Sequence, residues 1–546
     1  MGEVALAASM GAYRTLFWHL DRAARIPDRA QRSALARIVS RNQHTRFGVE
    51  HRFADAADPR RFRERMPIAD YEDLQPYVDE QRRTGSAALT SEPPLFYAQT
   101  SGSTGVPKLI PITRRMLELH KREQALFSYL QYRACPAAFT AKAWGIMGAS
   151  VEGRLDTGHT VGSVSGHLYR ALPRVVQRRF VVPPEVSSIA DYDLKYRIIL
   201  RLALGAPDIT YIGAPNSSTF LRLIDLLNEE RDLFARSLAT GVFEPLDVLD
   251  PDLRAIVAHR LAASTAMARR LAKPGELSFA DVWPDIRLLT TWTGGTCGLA
   301  VERLRRTLPP SAAVMELGYQ STEFRGSLAL ATETPAGLPP LHHHFFEFVE
   351  QDAWDNGNRA VHLLEELIPD RTYYVIVTTA SGLYRYFMND LVEVTGMYQR
   401  TPLIRFVQKG KGVTSLTGEK LYEAQVLESV RQSWSAGAGP AFFMMIADEQ
   451  AFAYRLFVEL ADGDRPDAAI FATSVDQRLG ELNIEYHSKR SSGRLHPLRV
   501  AWVRRGTGEA FKLACISAGQ REGQFKPVVL QYGKDVRFPF DEHAVE

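Results

Sequence analysis

Three hydroxyl residues, Thr100, Ser101 and Ser103, crowd with a fourth, Thr104, around Gly102 and Gly105, and Lys108 follows. Glycines let such a loop fold back with its N–H groups turned inward, the hydroxyls add donors, and the lysine adds positive charge. That combination suits a polyphosphate. The spacing is not that of a Walker A loop. A polar surface hairpin has the same composition, so the loop alone leaves both readings open.

Three further clusters carry chemistry. Glu316-Leu-Gly-Tyr-Gln-Ser-Thr-Glu323 follows an apolar run, as does a binding loop at the C-terminal end of a strand in an open α/β sheet. In it Tyr319 can stack on a base, Ser321 and Thr322 offer hydroxyls, and Glu323 can hold a magnesium ion bridging phosphates. A polar turn with a capping carboxylate is the plainer reading. Gly382-Leu-Tyr-Arg-Tyr-Phe-Met-Asn-Asp390 places Asp390 between an aromatic run and an apolar one. There a carboxylate can accept both hydroxyls of a ribose, or Asn389-Asp390 can be a hairpin turn. Arg385 within that run fits a structural ion pair. Gly523-Gln-Phe-Lys-Pro527 sets Lys526 between an aromatic residue and a proline, either aimed into a cleft or lying on the surface.

Two other groups carry less. Consecutive residues on a strand face opposite sides, so of His342-His-His344 only His342 and His344 would converge, too few for a metal site. Cys297 lacks the His and Asn partners of a thiol nucleophile.

These residues need elements to hold them. Apolar runs at Pro94–Ala98 and Leu109–Ile112 flank the hydroxyl-rich loop as two strands. Strand-like runs then alternate with helical patterns: 141–147, 208–213, 287–293, 313–317 and 373–379, with helices over 114–132 and 217–230. Such alternation predicts an α/β architecture. The helices 117–132 and 217–227 are candidate linings of an apolar pocket, although core packing explains each residue as well. The basic, glycine-rich Gln408-Lys-Gly-Lys-Gly-Val413 reads as a hinge. Beyond it, strands at 441–446, 453–460 and 498–503 with a helix at 422–435 suffice for a small α+β domain.

The bulk composition is that of a globular protein. Its 546 residues predict two or three domains. Sixty-six basic against 63 acidic residues leave a net charge of +3, which calls for neither nucleic acid nor an anionic membrane. Three well-separated cysteines argue against a disulfide framework and predict a reducing, cytoplasmic setting. No stretch approaches the ~20 apolar residues of a membrane span, and the N-terminus lacks the apolar core of a signal peptide.

In their order the clusters resemble the adenylate-forming superfamily, and within it the auxin-responsive acyl acid–amido synthetases of plants and their bacterial relatives. The resemblance rests on Thr100–Lys108, Trp292-Thr-Gly-Gly295, Tyr319–Glu323, Gly382–Asp390 and Gln524-Phe-Lys526. It is supported by Met66–Tyr77, Phe345–Phe348, Ile404–Val407 and His496–Val500. The ordered set covers nearly the whole chain. It implies a large N-terminal adenylate-forming domain, residues 1–407, with mixed sheets flanked by helices. A hinge at 408–412 and a small mobile C-terminal α+β domain, 413–546, carrying Lys526, would follow.

The activity so implied is ATP-dependent activation of a carboxylic acid as its acyl-adenylate, then transfer to an amine, in the first instance that of an amino acid. Thr100, Ser101, Gly102, Ser103, Thr104, Gly105 and Lys108 would cradle the phosphates, and Mg²⁺ would sit on Glu323. Tyr319 would stack near adenine, Asp390 would hold the ribose, Ser321 and Thr322 would also bind ATP, and Lys526 would bridge the carboxylate and the α-phosphate. The resemblance also leaves open an acyl-CoA ligase sharing the adenylation step, or a non-catalytic nucleotide- or acyl-binding regulator. Two departures from the plant pattern bear on domain rotation and acceptor choice: Asn389 replaces a glycine before the ribose aspartate, and the hinge is less uniformly basic.

Overall fold

Short β-branched and aromatic runs build four larger sheets among the residues described by the computed structural model. Those residues are 2–99, 108–294, 297–410, 412–417, 419–434, 439–461, 465–491, 493–518 and 525–545. The expected phosphate loop, Thr100 to Gly105, therefore lies outside them, as do Gly295, Lys411 and Gln524.

The two strands flanking that loop, Pro94–Gln99 and Leu109–Thr113, pair antiparallel. They join Thr160–Gly162 and Gly153–Arg154 in a mixed sheet. Four wholly parallel strands form a second sheet in the order Lys142–Gly145, Ile209–Gly213, Leu288–Thr291, Ala313–Glu316. Parallel neighbours require crossovers, and the intervening helical segments supply them. This sheet has its own core, in which Trp144 and Trp283 pack with Phe220 and Phe279. A seven-stranded antiparallel sheet follows, with Thr372–Thr378, Tyr386–Tyr398 and Thr401–Lys409 as consecutive neighbours.

The helix Arg114–Ala134 joins these layers. Thr113 caps it by accepting from the Met116 N–H at 3.2 Å. Met116, Leu119, Leu126, Phe127 and Leu130 recur at the three- and four-residue spacing that buries one helical face.

The C-terminal residues form a separate layer. Pro440–Asp448 and Ala453–Leu460 pair antiparallel between the parallel edge strands Leu530–Tyr532 and Arg499–Val503. The helices Glu423–Ser433 and Ala468–Leu482 pack on this sheet over its own core. The expected strands and helices are all present, with ends shifted by a few residues. The expected hinge begins inside a strand, since Gln408 and Lys409 complete Thr401–Lys409. No helix among the described residues is long and apolar enough to cross a membrane.

Candidate active site

Where Ala313–Glu316 ends, the chain turns sharply at Gly318, whose φ of +95° and closeness to the Ser327 carbonyl exclude a side chain. Glu316 is buried and accepts from the N–H groups of Thr293 at 2.7 Å and Gly318 at 3.0 Å. Burial raises its pKa, while those donors and Lys526 pull it back. The Trp292 indole donates to the Gly318 carbonyl at 3.2 Å. This loop is thus tied to the end of the neighbouring strand, Leu288–Thr291.

Tyr319 then packs face to face with Phe406, ring centroids 5.8 Å apart, and edge-on against Phe324. Its hydroxyl donates to Asp390 Oδ2 at 2.8 Å. Burial and the neighbouring Asp390 charge hold the phenol well above its ordinary pKa, so it remains a donor.

Asp390 lies within the strand Tyr386–Tyr398, opposite Lys409, so Asn389-Asp390 is not a hairpin turn. The turn falls earlier, where Thr379 N–H donates to the Leu383 carbonyl. Asn389 instead occupies the left-handed region at φ +51°, within a shift of register between Tyr374 and Ile376. Asparagine is among the few residues that accept this conformation without a glycine, which accounts for the departure at this position. Its carbonyl accepts from Gly410 N–H at 2.8 Å, and its side chain fills the space a Gly410 Cβ would need. Asp390 is only 3% exposed, and its Oδ1 has no hydrogen-bond partner among the described residues. Burial raises its pKa, countered by Lys409, Tyr319 and Lys526. An unpaired buried carboxylate oxygen is costly unless a ligand hydroxyl meets it.

Lys526 reaches the same place from the C-terminal layer. Its ammonium lies 3.6 Å from the centroid of the Trp292 ring and 4.9 Å from that of Phe406. Burial lowers its pKa, while Cys297, Glu316 and Asp390 favour the charged form. Asn216, between the strand Ile209–Gly213 and the next helix, donates to the Phe525 carbonyl at 3.0 Å and fixes the approach of Lys526.

Lys108, Tyr319, Ser321, Thr322, Glu323, Asp390 and Lys526 all line one cavity of about 3140 Å³. The Lys108 ammonium bonds the Tyr386 hydroxyl at 3.3 Å and lies over the Tyr71 ring. The Ser321 hydroxyl accepts from Glu323 N–H at 3.2 Å, and Glu323 is buried with no cation within ion-pairing distance among the described residues. Phe127, Ser128 and Gln131 bring the helix Arg114–Ala134 to the cavity wall. The helix Ser218–Glu229 contributes Thr219 there and mostly fills the parallel-sheet core.

The histidines differ from the sequence reading, Arg385 agrees with it, and two residues were missed by it. A turn precedes the strand Phe345–Glu350, so His343 and His344 rather than His342 and His344 share a partner. Both bond Glu123, at 2.8 and 3.2 Å, with His120 also at 3.2 Å. These donors outweigh burial together and hold the Glu123 carboxyl well below its ordinary pKa. Arg385 does make a structural ion pair: it binds Glu347 at 3.0 Å, and Arg63 binds the other oxygen at 2.7 Å. Glu316 and Arg325 were assigned no role from sequence. The signal for Arg325 was a lone cation in the run Phe324-Arg-Gly-Ser-Leu-Ala-Leu330.

Comparison with known proteins covers most of the chain. Residues 18–312 match the GH3 family N-terminal domain, 338–409 its central domain and 424–532 its C-terminal domain. The chain is 26% identical over 541 residues to the probable indole-3-acetic acid-amido synthetase GH3.1 of Arabidopsis thaliana, spanning 93% of this chain and 90% of that protein. It is 25% identical over 540 residues to the indole-3-acetic acid-amido synthetase GH3.8 of Oryza sativa subsp. indica, spanning 91% and 87%. The solved structure of the AtGH3.15 acyl acid amido synthetase in complex with 2,4-DB superposes with a TM-score of 0.85 at 20% identity, covering 98% of this chain and 96% of that one. The two share a fold.

Proposed function

Because the chain belongs to the GH3 family, we propose that it is an acyl acid–amido synthetase, a ligase joining a carboxylic acid to the amine of an amino acid at the expense of ATP. The observation that carries this reading is the meeting of Asp390, Tyr319 and Lys526, from three distant parts of the sequence, at one cavity.

The chemistry has two steps. The acid's carboxylate oxygen attacks the α-phosphorus of ATP, the bond to the β-phosphate oxygen breaks, and pyrophosphate leaves with that electron pair. The amine nitrogen then attacks the acyl carbon, AMP departs, and the nitrogen's proton passes to solvent. Phosphoryl transfer of this kind is chiefly positioning and charge neutralisation. Lys526 would lie between carboxylate and α-phosphate, where a point charge offsets the repulsion of two anions. Its desolvated seat on Trp292 supports that role.

Asp390, with one oxygen held by Tyr319 and the other unpaired, fits a ribose hydroxyl. Tyr319 would both border the base and orient this carboxylate. Ser321 and Thr322 would line the nucleotide side with Lys108 and the loop Thr100–Gly105 at the phosphates. The buried, unpaired Glu323 carboxylate fits Mg²⁺, which would neutralise phosphate charge there.

Delivery of Lys526 assigns residues 1–407 and 413–546 to two bodies hinged at 408–412. Family matches that stop at 409 and resume at 424 support that division. The soluble substrates and three unpaired cysteines fit a cytoplasmic enzyme.

The test is acid-dependent exchange of pyrophosphate into ATP across a carboxylic-acid panel, followed by mass spectrometry of products with amino acids or coenzyme A. Exchange with amide formation is expected. No exchange with any acid sinks the reading, and thioester without amide replaces it with an acyl-CoA ligase.

A further inference from the structure

Arg325 lines the cavity and is 5% exposed. Its Nε and Nη2 donate to Gln320 Oε1 at 3.1 and 2.8 Å, and Nη2 also donates to the Leu317 carbonyl at 3.3 Å. Its buried Nη1 has no hydrogen-bond partner among the described residues. No carboxylate lies within ion-pairing distance of it among the described residues. Glu123, whose field reaches it, is committed to His120, His343 and His344. Burial lowers the Arg325 pKa to about 10, which leaves a full cation at neutral pH. A buried guanidinium without a counter-ion is expensive to maintain and is ordinarily matched by an anion or by several oxygen acceptors.

Its position relative to Lys526 follows from shared supports. Arg325 grips the Leu317 carbonyl, while Trp292, on which Lys526 sits, grips the next carbonyl, Gly318. Arg325 also lies over Phe127, 4.6 Å from its centroid. Gln131, one helical turn on, donates to Thr290 at 2.9 Å, two positions before Trp292. The two cations therefore sit on two aromatic rings joined by one short chain of contacts. Gln131, Tyr211 and Thr290, which are linked to one another along that chain, also line the cavity.

We propose that Arg325 selects acids carrying a second oxygen acceptor, a carboxylate or carbonyl, at the end remote from the carboxyl that is activated. The inference rests on the amido synthetase reading and names the substrate class of that same site. A distal oxygen at Nη1 satisfies the unpaired donor and the unmatched charge together, and a purely apolar acid satisfies neither.

Pyrophosphate exchange by the full-length protein tests this with matched pairs. These are straight-chain monocarboxylates against α,ω-dicarboxylates of the same length, and arylalkanoates with and without a distal carbonyl or carboxylate. The wild type is expected to favour the acceptor-bearing member at least tenfold in kcat/KM, with an optimum chain length. Arg325→Met should collapse that ratio towards one, and Arg325→Lys should restore part of it. A loop-supporting role alone would lower both members equally and raise the KM for ATP, and that result overturns the proposal. So does a wild-type preference for the unsubstituted members, which leaves the amido synthetase reading standing and needs no folded variant. Absence of exchange with every acid would instead remove both.

Discussion

The ammonium of Lys526 lies 3.6 Å from the centroid of the Trp292 indole, and Trp292 is in turn held by the carbonyl of Gly318. The lysine is thus seated by residues of the large N-terminal part. Lys526→Ala should lower acid-dependent exchange by about 10²–10³-fold or more, the cost of removing a preorganised transition-state charge. Trp292→Leu should cost roughly tenfold, as expected for losing a desolvated cation–π contact. Burial lowers the lysine's pKa, and the proposed role needs its charged form. The alkaline limb of the pH–rate profile should therefore fall below that of an ordinary lysine. Exchange kinetics over pH check all three.

Tyr319→Phe removes the hydroxyl that holds Asp390 Oδ2 and leaves a buried carboxylate with neither oxygen paired. The KM for ATP should rise about tenfold, since a hydrogen bond to a charged group contributes on the order of 1.5–3 kcal/mol. An unaltered KM would detach Tyr319 from nucleotide binding.

Glu423 is buried where the C-terminal layer begins. It accepts from Val529 N–H at 2.7 Å, and its own N–H donates to Gly412 at 2.7 Å. Burial raises its pKa to about 7. A carboxyl whose folded pKa exceeds its unfolded one takes up protons on folding, so stability is greatest at acid pH. It declines as pH rises from about 4.5 to about 7, by roughly 3 kcal/mol at most. Glu423→Gln keeps an acceptor for Val529 and removes the charge. Thermal melts should show the variant more stable than wild type at pH 8, with the gain shrinking towards pH 5. Parallel curves would contradict this.

Gly410 and Asn389 are coupled by space. A Cβ at Gly410 would fall 2.1 Å from Asn389 Oδ1 and 3.0 Å from the Tyr374 ring. Gly410→Ala should destabilise by about 1–3 kcal/mol, as overpacking does. Adding Asn389→Gly, which keeps the positive φ and vacates the space, should recover part of that loss. A denaturant-based double-mutant cycle measures the coupling, and strict additivity would refute it.

Much of the framework was legible in local pattern. The strands flanking the hydroxyl-rich loop and the helix from Arg114 follow from local apolar runs and helical pattern alone. Sheet membership was not, because pairing partners are distant in sequence: Pro94–Gln99 and Leu288–Thr291 read alike yet belong to different sheets. Asp390 was found in sequence, but its setting was ambiguous. Asn-Asp favours turns, and only long-range pairing absorbed Asn389 into a bulge. His342–His344 were misread through a strand period that a turn interrupts. Arg325 and Glu423 were missed because an isolated charge reveals its burial only once its neighbours are assembled.

The hydrogen bond from Asn216 to the Phe525 carbonyl also bears on the order of events. While it holds, Lys526 covers Trp292 and this side of the cavity is occupied by the enzyme's own backbone. On the proposed hinged reading, loading and unloading through that side would require Phe525 to be released, which would put this one amide between chemistry and turnover. Strengthening that contact would favour each single conversion and slow the exit of what it makes. Weakening it would do the reverse.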